Sequence, residues 1–152
     1  MTDVRWLDDD EQQAWRGFLD VHARLRARLH RELQASSGLS LSDYDVLVHL
    51  TDVPDGRLRS FELGEGLEWE KSRVSKQVAR MAARGLVVKE ECPEDGRGAY
   101  VVLTDEGRDA IEEAAPAHVA LVRRLVFELL SPAQLRTLAS VNELVLGQLA
   151  SE

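Results

Sequence analysis

The chain has 152 residues, is 44% hydrophobic and 30% charged, and carries a net charge of −8. That length suits one domain, or one domain with an extension, and this composition excludes a disordered chain. No apolar run approaches the ~18 residues of a membrane span. The acidic start MTDVRWLDDDEQQAW is unlike a secretory signal, and a lone cysteine, Cys92, excludes an internal disulfide framework; both suit a reducing cytoplasm.

From about Asp9 to Ala35, Trp15, Phe18, Leu19, His22, Leu25, Leu29 and Leu33 recur at three- and four-residue steps, predicting a long amphipathic helix ended by Ser36-Ser37-Gly38. Its acids come early and its arginines late, as the helix dipole prefers. Ser42 is placed to cap a second helix bearing Tyr44, Leu47 and Leu50, which stops near the turn signal Val53-Pro54-Asp55-Gly56. Ser60 is placed to cap a short third helix through Leu63 and Leu67, where Gly64 and Gly66 lower the propensity and packing must hold it.

A basic helix follows and stops at Gly85. Leu86 to Val88 and Tyr100 to Leu103 then form two apolar, β-prone runs around a polar Gly-bearing turn, which predicts a hairpin. Thr104 is placed to cap a helix running to about Leu130, bent near Pro116. Ser131-Pro132 opens a last helix bearing Leu135, Leu138, Val141, Leu144, Val145 and Leu149.

The fourth helix carries the chemistry. Lys71 to Arg84, KSRVSKQVARMAAR, holds five cations and no acid. At ~100° per residue, Val74, Val78 and Met81 share one narrow edge. Ser72, Lys76, Ala79 and Ala83 lie opposite, flanked by Arg73, Ser75 and Arg80. Such a face offers cations to phosphates, hydroxyls for hydrogen bonds and small residues that let a helix sit deep in the major groove. A merely solvated cationic face accounts for the helix taken alone equally well. Its setting favours DNA. Helix, turn, basic helix and hairpin in succession describe a winged helix-turn-helix, with Arg97 at the wing tip within reach of a minor groove. From Arg57 to Arg97 nine cations and eight acids give +1, which leaves −9 for the remainder. An acidic body limits non-specific contact with the DNA backbone and orients approach.

The paired stretches LEWEKSRVSKQVARMAARGLV (Leu67 to Val87) and DGRGAYVVLTDEG (Asp95 to Gly107) resemble the signature of MarR-type transcriptional regulators. In that family a Ser-x-x-Ser core, here Ser72 and Ser75, precedes Arg-Gly-Leu-Val, here Arg84 to Val87. An Asp-x-Arg-Asp-Gly-Arg wing precedes Leu-Thr-x-x-Gly. The wing here begins Cys92-Pro93-Glu94, where the family commonly places Asp and Arg at the outer two positions, so the ion pair that often braces the wing base is expected to be missing. The resemblance spans nearly the whole chain. It implies a mainly α (α+β) winged helix-turn-helix of about six helices with a small β-hairpin wing. The implied layout is an N-terminal dimerisation helix (1–38), a DNA-binding lobe (39–104) and C-terminal dimerisation helices (105–152). It also implies a homodimer on a pseudo-palindromic operator in double-stranded DNA, repressing by promoter occlusion until a small, often aromatic, effector settles between lobe and dimer helices. The terminal helices, with more leucines and valines than one small bundle needs, agree independently.

The expected DNA contacts are Ser72, Arg73, Ser75 and Lys76 in the groove, Lys71 and Arg80 on phosphates, and Arg97 in the minor groove. Trp15, His22 and Tyr44 are the residues placed to line an effector pocket. No catalytic residues, metal ligands or cofactor are expected. His22, His30, His49 and His118 lack ligand spacing, no nucleophilic triad is recognisable, and Gly64-x-Gly66 lacks the third glycine of a dinucleotide loop. Cys92 lies among Glu90, Glu91 and Glu94, which favour an inert thiol. A dimeric scaffold or antirepressor that keeps the fold without binding DNA is the alternative.

Overall fold

The computed structural model describes residues 3–91 and 98–152. The expected wing tip, with Cys92 and the minor-groove arginine Arg97, lies outside the described residues. Among those described, the order is α1 (Asp9–Ser37), α2 (Leu41–Thr51), β1 (Arg57–Arg59), α3 (Ser60–Leu67), α4 (Lys71–Ala83), β2 (Val87–Glu90), β3 (Tyr100–Leu103), α5 (Asp105–Leu125), a 3-10 turn (Phe127–Leu129) and α6 (Pro132–Ser151). This is the mainly helical winged helix-turn-helix that the periodicities predict, with one addition. The wing is three-stranded, ordered β1-β3-β2, and both pairings are antiparallel. Strand β1 is only Arg-Leu-Arg, too short and too charged to announce itself. It exists because β3 has a second edge to fill, with Arg57, Leu58 and Arg59 opposite Val102, Val101 and Tyr100.

The chain divides into two compact units, Met1–Ala115 and Pro116–Glu152. In the first, Leu33, Val46, Leu47, Leu50, Leu63, Met81, Val87 and Val101 are fully buried, so every one of α1 to α4, β2 and β3 contributes to one core. The buried Leu63 supplies the packing that α3 needs. In the second, α6 starts on a capping box in which Ser131 and Gln134 satisfy each other's backbone N–H, with Pro132 at the first helical position. Its apolar residues Leu135, Leu138, Val141, Leu144, Val145, Leu146 and Leu149 are all exposed within the protomer.

Several helix boundaries differ from the sequence expectation. Helix α1 continues through Ser36 and Ser37, whose hydroxyls donate to the carbonyls of Glu32 and Leu33 at 2.8 Å each instead of breaking the helix. Gly38, at φ 72°, then ends it. Ser40, not Ser42, caps α2: its hydroxyl accepts the Asp43 N–H while Asp43 accepts the Ser40 N–H. Arg59, not Ser60, occupies the cap position of α3, because the Ser60 hydroxyl is used to donate to the Ala99 carbonyl at 3.0 Å. Helix α5 ends at Leu125, and the 3-10 turn occupies the stretch up to Leu129.

The two halves of the signature touch one another. Helix α4 ends in a Schellman motif, with Gly85 at φ 77°, the Leu86 N–H on the Met81 carbonyl and the Gly85 N–H on that of Ala82. The Thr104 N–H and hydroxyl then meet the Leu86 carbonyl, and the same hydroxyl accepts the Gly107 N–H in the first turn of α5. Gly107 packs so closely there that a Cβ would collide with the Leu86 carbonyl oxygen. Arg-Gly-Leu-Val and Leu-Thr-x-x-Gly are therefore the two sides of one junction. A glycine inside a helix is ordinarily improved by alanine, by about 1 kcal/mol. Here Gly107→Ala is expected to reverse that sign and destabilise the protein by on the order of 1–3 kcal/mol, the cost of overpacking, in urea-unfolding measurements.

Candidate nucleic-acid interface

Helix α4 takes up the orientation that its sequence encodes. Val74, Val78 and Met81 are 3%, 4% and 0% exposed, and Met81 lies among the fully buried side chains of the core. Lys71, Ser72, Arg73, Ser75, Lys76, Ala79, Arg80 and Ala83 are all exposed. The expected groove-facing residues thus share one solvent-facing surface. A turn of three residues, Glu68-Trp69-Glu70, separates α3 from α4. Its first residue holds the left-handed conformation at φ 55°, and the Trp69 N–H donates to the Gly64 carbonyl at 2.9 Å. Trp69 also orients a cation: the Arg73 guanidinium lies 4.1 Å from its ring centroid.

Two features of α4 escape helical-wheel reasoning. Gln77 is 5% exposed, a polar residue on the buried side whose amide donates to the Asp43 carboxylate at 2.6 Å. Arg84, one of the five cations, turns back toward α1 and α2. It pairs with Asp43 at 2.6 Å and donates to the Gly38 carbonyl at 3.0 Å. Only Lys71, Arg73, Lys76 and Arg80 remain on the outer face, and Arg80 is steered by a 3.0 Å hydrogen bond to the Gln77 carbonyl oxygen.

The base of the wing adds a basic element. Arg57 and Arg59, side by side on one face of β1, lie 4.1 and 4.3 Å from the Tyr100 ring centroid. Arg57 also pairs with Glu90 of β2 at 2.9 Å. That ion pair braces the outer strands across β3, although the sequence lacks the family's usual bracing residues. Both partners are half exposed, so it is worth well under about 1 kcal/mol. Arg-x-Arg followed some forty residues later by a tyrosine gave no hint of this cluster, because the register of a three-residue strand creates it.

The residues expected to line an effector pocket are dispersed in burial. Trp15 is half-exposed and stacks on Phe18 at 5.9 Å, His22 is exposed, and Tyr44 is buried in the core of the first unit. Burial raises the Tyr44 phenol above its ordinary pKa of 10.0, so it remains neutral at physiological pH. Two concavities adjoin α4. One, of about 680 Å3, is walled by Phe61, Val74, Val78, Ala79 and Ala82 with Lys71, Ser75 and Lys89 among its lining. The other, of about 450 Å3, lies over Asp43, Gln77, Arg80 and Arg84. Neither is lined by Trp15, His22 or Tyr44. Among the described residues, no group of three His, Cys, Asp or Glu side chains is placed to hold a metal ion. No helix there is long and apolar enough to cross a membrane.

Residues 37–98 match the family model described as MarR family. The fold as a whole superposes on AbsC, a MarR family transcriptional regulator from Streptomyces coelicolor, with a TM-score of 0.89 and 38% identity over 98% of this chain and 100% of that one. The chain belongs to the MarR family of transcriptional regulators. A second member from Streptomyces coelicolor, Sco3205, whose structure was solved in complex with DNA, is 38% identical over 95% of this chain and 94% of its own, with a TM-score of 0.88. The HTH-type transcriptional repressor YetL of Bacillus subtilis is 30% identical over 88 residues, which cover 58% of this chain and 53% of YetL. The chain spans about half the length of the curated relatives it matches.

For this MarR family member, Lys76→Ala is expected to leave unfolding stability within about 0.5 kcal/mol, as an exposed substitution should. With Lys76 expected in the groove, the same variant should bind duplex DNA more weakly than the wild type at every salt concentration. Fluorescence anisotropy across a salt series measures it; unaltered affinity would remove Lys76 from the interface.

Proposed function

We propose that this chain is a homodimeric transcriptional repressor that occupies a pseudo-palindromic operator and is released by a small ligand of the often aromatic kind. The observation that carries DNA binding is the outer face of α4, which displays four cations and two serines without one acid, while its apolar edge is sunk in the core. Ser72, Arg73, Ser75 and Lys76 would meet base edges or the groove, and Lys71 and Arg80 the phosphates. Arg97 would enter the adjoining minor groove, with Arg57 and Arg59 at the wing base adding positive potential beside it. The DNA-bound structure of Sco3205 supports the same use of this fold here.

Dimerisation is supported by apolar surface that the protomer leaves uncovered. On and beside α1, Trp6, Leu7, Trp15, Phe18, Leu19 and Val21 are exposed, and α6 exposes Leu144, Leu146 and Leu149 to 64% or more. Helices 1–38 and 105–152 would then form the dimer, and residues 39–104 the DNA-binding lobe. A two-fold axis would present α4 twice, one helical turn of DNA apart. Trp15 and His22, exposed on α1, and Tyr44, buried in the core, are the residues proposed to meet an effector. A ligand favouring a conformer with wrongly spaced recognition helices would release DNA through its differential affinity. The cytoplasm is the compartment for this work.

Sedimentation of the purified protein is expected to give a dimer, and Leu146→Glu to shift it toward monomer. Because one protomer would then engage one half-site, that variant should lose far more affinity for a duplex with two half-sites than for one with a single half-site. Arg97→Ala should weaken binding while the dimer stays folded. A wild-type protein that shows no salt-dependent affinity for any duplex selected from a random library would instead favour the non-DNA-binding scaffold.

A further inference from the structure

Asp43 is a carboxylate that is 3% exposed, sits on α2, and lies beneath the smaller concavity beside α4. Burying a carboxylate is costly unless it is paired and hydrogen-bonded, so its partners explain its presence. It has three. The Ser40 N–H donates to Oδ2 at 2.9 Å, Arg84 Nη1 to the same oxygen at 2.6 Å, and Gln77 Nε2 to Oδ1 at 2.6 Å. Gln77 comes from α4 and Arg84 from the residue that caps its end. Each extends onward: the Arg84 guanidinium reaches the Gly38 carbonyl at the end of α1, and the Gln77 carbonyl oxygen receives Arg80 Nη2. The start of α2 is itself tied to α1, since the Leu41 N–H donates to His30 Nδ1 at 3.1 Å. One buried anion thereby joins the end of α1, the start of α2, the middle of α4 and the exposed Arg80.

A primary amide at position 77 suits this relay chemically. It donates on one side and accepts on the other, so the Asp43 anion polarises it toward the Arg80 guanidinium. A carboxylate there would be repelled by Asp43, and an aliphatic side chain would leave the anion short of a donor. A free arginine on a helix surface samples many rotamers. Held through Gln77, Arg80 is restricted before DNA arrives, which lowers the entropy lost on binding.

We propose that Asp43 is a positioning residue for DNA binding: through Gln77 it aims Arg80 at the phosphate backbone, and through Arg84 it fixes the end of the recognition helix against the end of α1. This rests on the reading of α4 as the DNA-binding helix. Asp43 and Gln77 are both buried, at 3% and 5% exposure, and neither substitution made at these two positions below removes a cation.

The test is a double-variant cycle on the full-length protein, with a duplex selected from a random library by the wild type as probe. Gln77→Met keeps size and helix propensity and removes both arms of the relay. It is expected to weaken binding about tenfold, the loss of roughly one well-made charged hydrogen bond. The decisive readout is salt. Although Gln77→Met changes no charge, its salt slope should flatten by about 0.9, like that of Arg80→Ala, because a misdirected arginine no longer displaces a counterion. The double variant should bind no more weakly than Arg80→Ala alone. Asp43→Asn, which keeps the shape of the hub, should show the same flattened slope and guards against a folding failure at position 77. An unchanged slope in both variants, or losses that multiply in the double variant, overturns the proposal. Wild-type protein that binds no duplex overturns the DNA-binding reading beneath it, a distinct result.

Discussion

The seating of α4 by one narrow edge governs the rest of this molecule. Three side chains, Val74, Val78 and Met81, hold the helix to the core. Each buried side chain of this kind contributes about 1.5–3 kcal/mol. Against that, like-charge neighbours such as Lys76 and Arg80 cost only ~0.2–0.5 kcal/mol per pair. Burial therefore wins easily, and a helix crowded with cations is held in place although it carries no acid to neutralise them. A wider apolar stripe would have drawn more of the helix into the core. A narrower one would have left the helix unable to resist its own repulsion.

Once α4 is seated, its ends are fixed by chemistry drawn from distant parts of the chain. The left-handed Glu68 and the Trp69 N–H on the Gly64 carbonyl turn the chain from α3 into it. At the other end, Gly85 terminates it and the Leu86 carbonyl meets Thr104 and the first turn of α5, where only a glycine at position 107 leaves room. The wing begins directly beyond that junction. The recognition helix and the wing are thus spaced by one backbone contact region, so a change at Gly107 would act on their relative placement as well as on stability.

Electrostatics shape the surface in the opposite sense from the totals. A net charge of −8 would repel a polyanion if it were spread evenly. It is not. Lys71, Arg73, Lys76 and Arg80 crowd one exposed face, Arg57 and Arg59 stand over Tyr100 at the wing base, and the acids lie mostly elsewhere. A polyanion would therefore meet one attractive face, the one proposed above for DNA, and an acidic remainder.

Periodicity and capping chemistry by themselves determined the helices, the hairpin strands β2 and β3, and the outward face of α4, because those features depend on neighbours one to four residues away. Errors at the caps were local too. Ser42 is as good on paper as Ser40 and Ser60 better than Arg59, until the hydroxyl of Ser60 is claimed by Ala99 and Ser40 is answered by Asp43. Strand β1, the Arg57–Glu90 brace, the Arg–Tyr100 cluster and the Asp43–Gln77–Arg84 hub were decided only by tertiary structure. Their partners lie between 33 and 45 residues apart, and nothing in a one-dimensional pattern says which distant polar group will meet a buried carboxylate. A wheel projection leaves Arg84 among the other cations; the fold turns it back onto the buried Asp43 carboxylate while its side chain stays 44% exposed, and that pairing exists only in three dimensions.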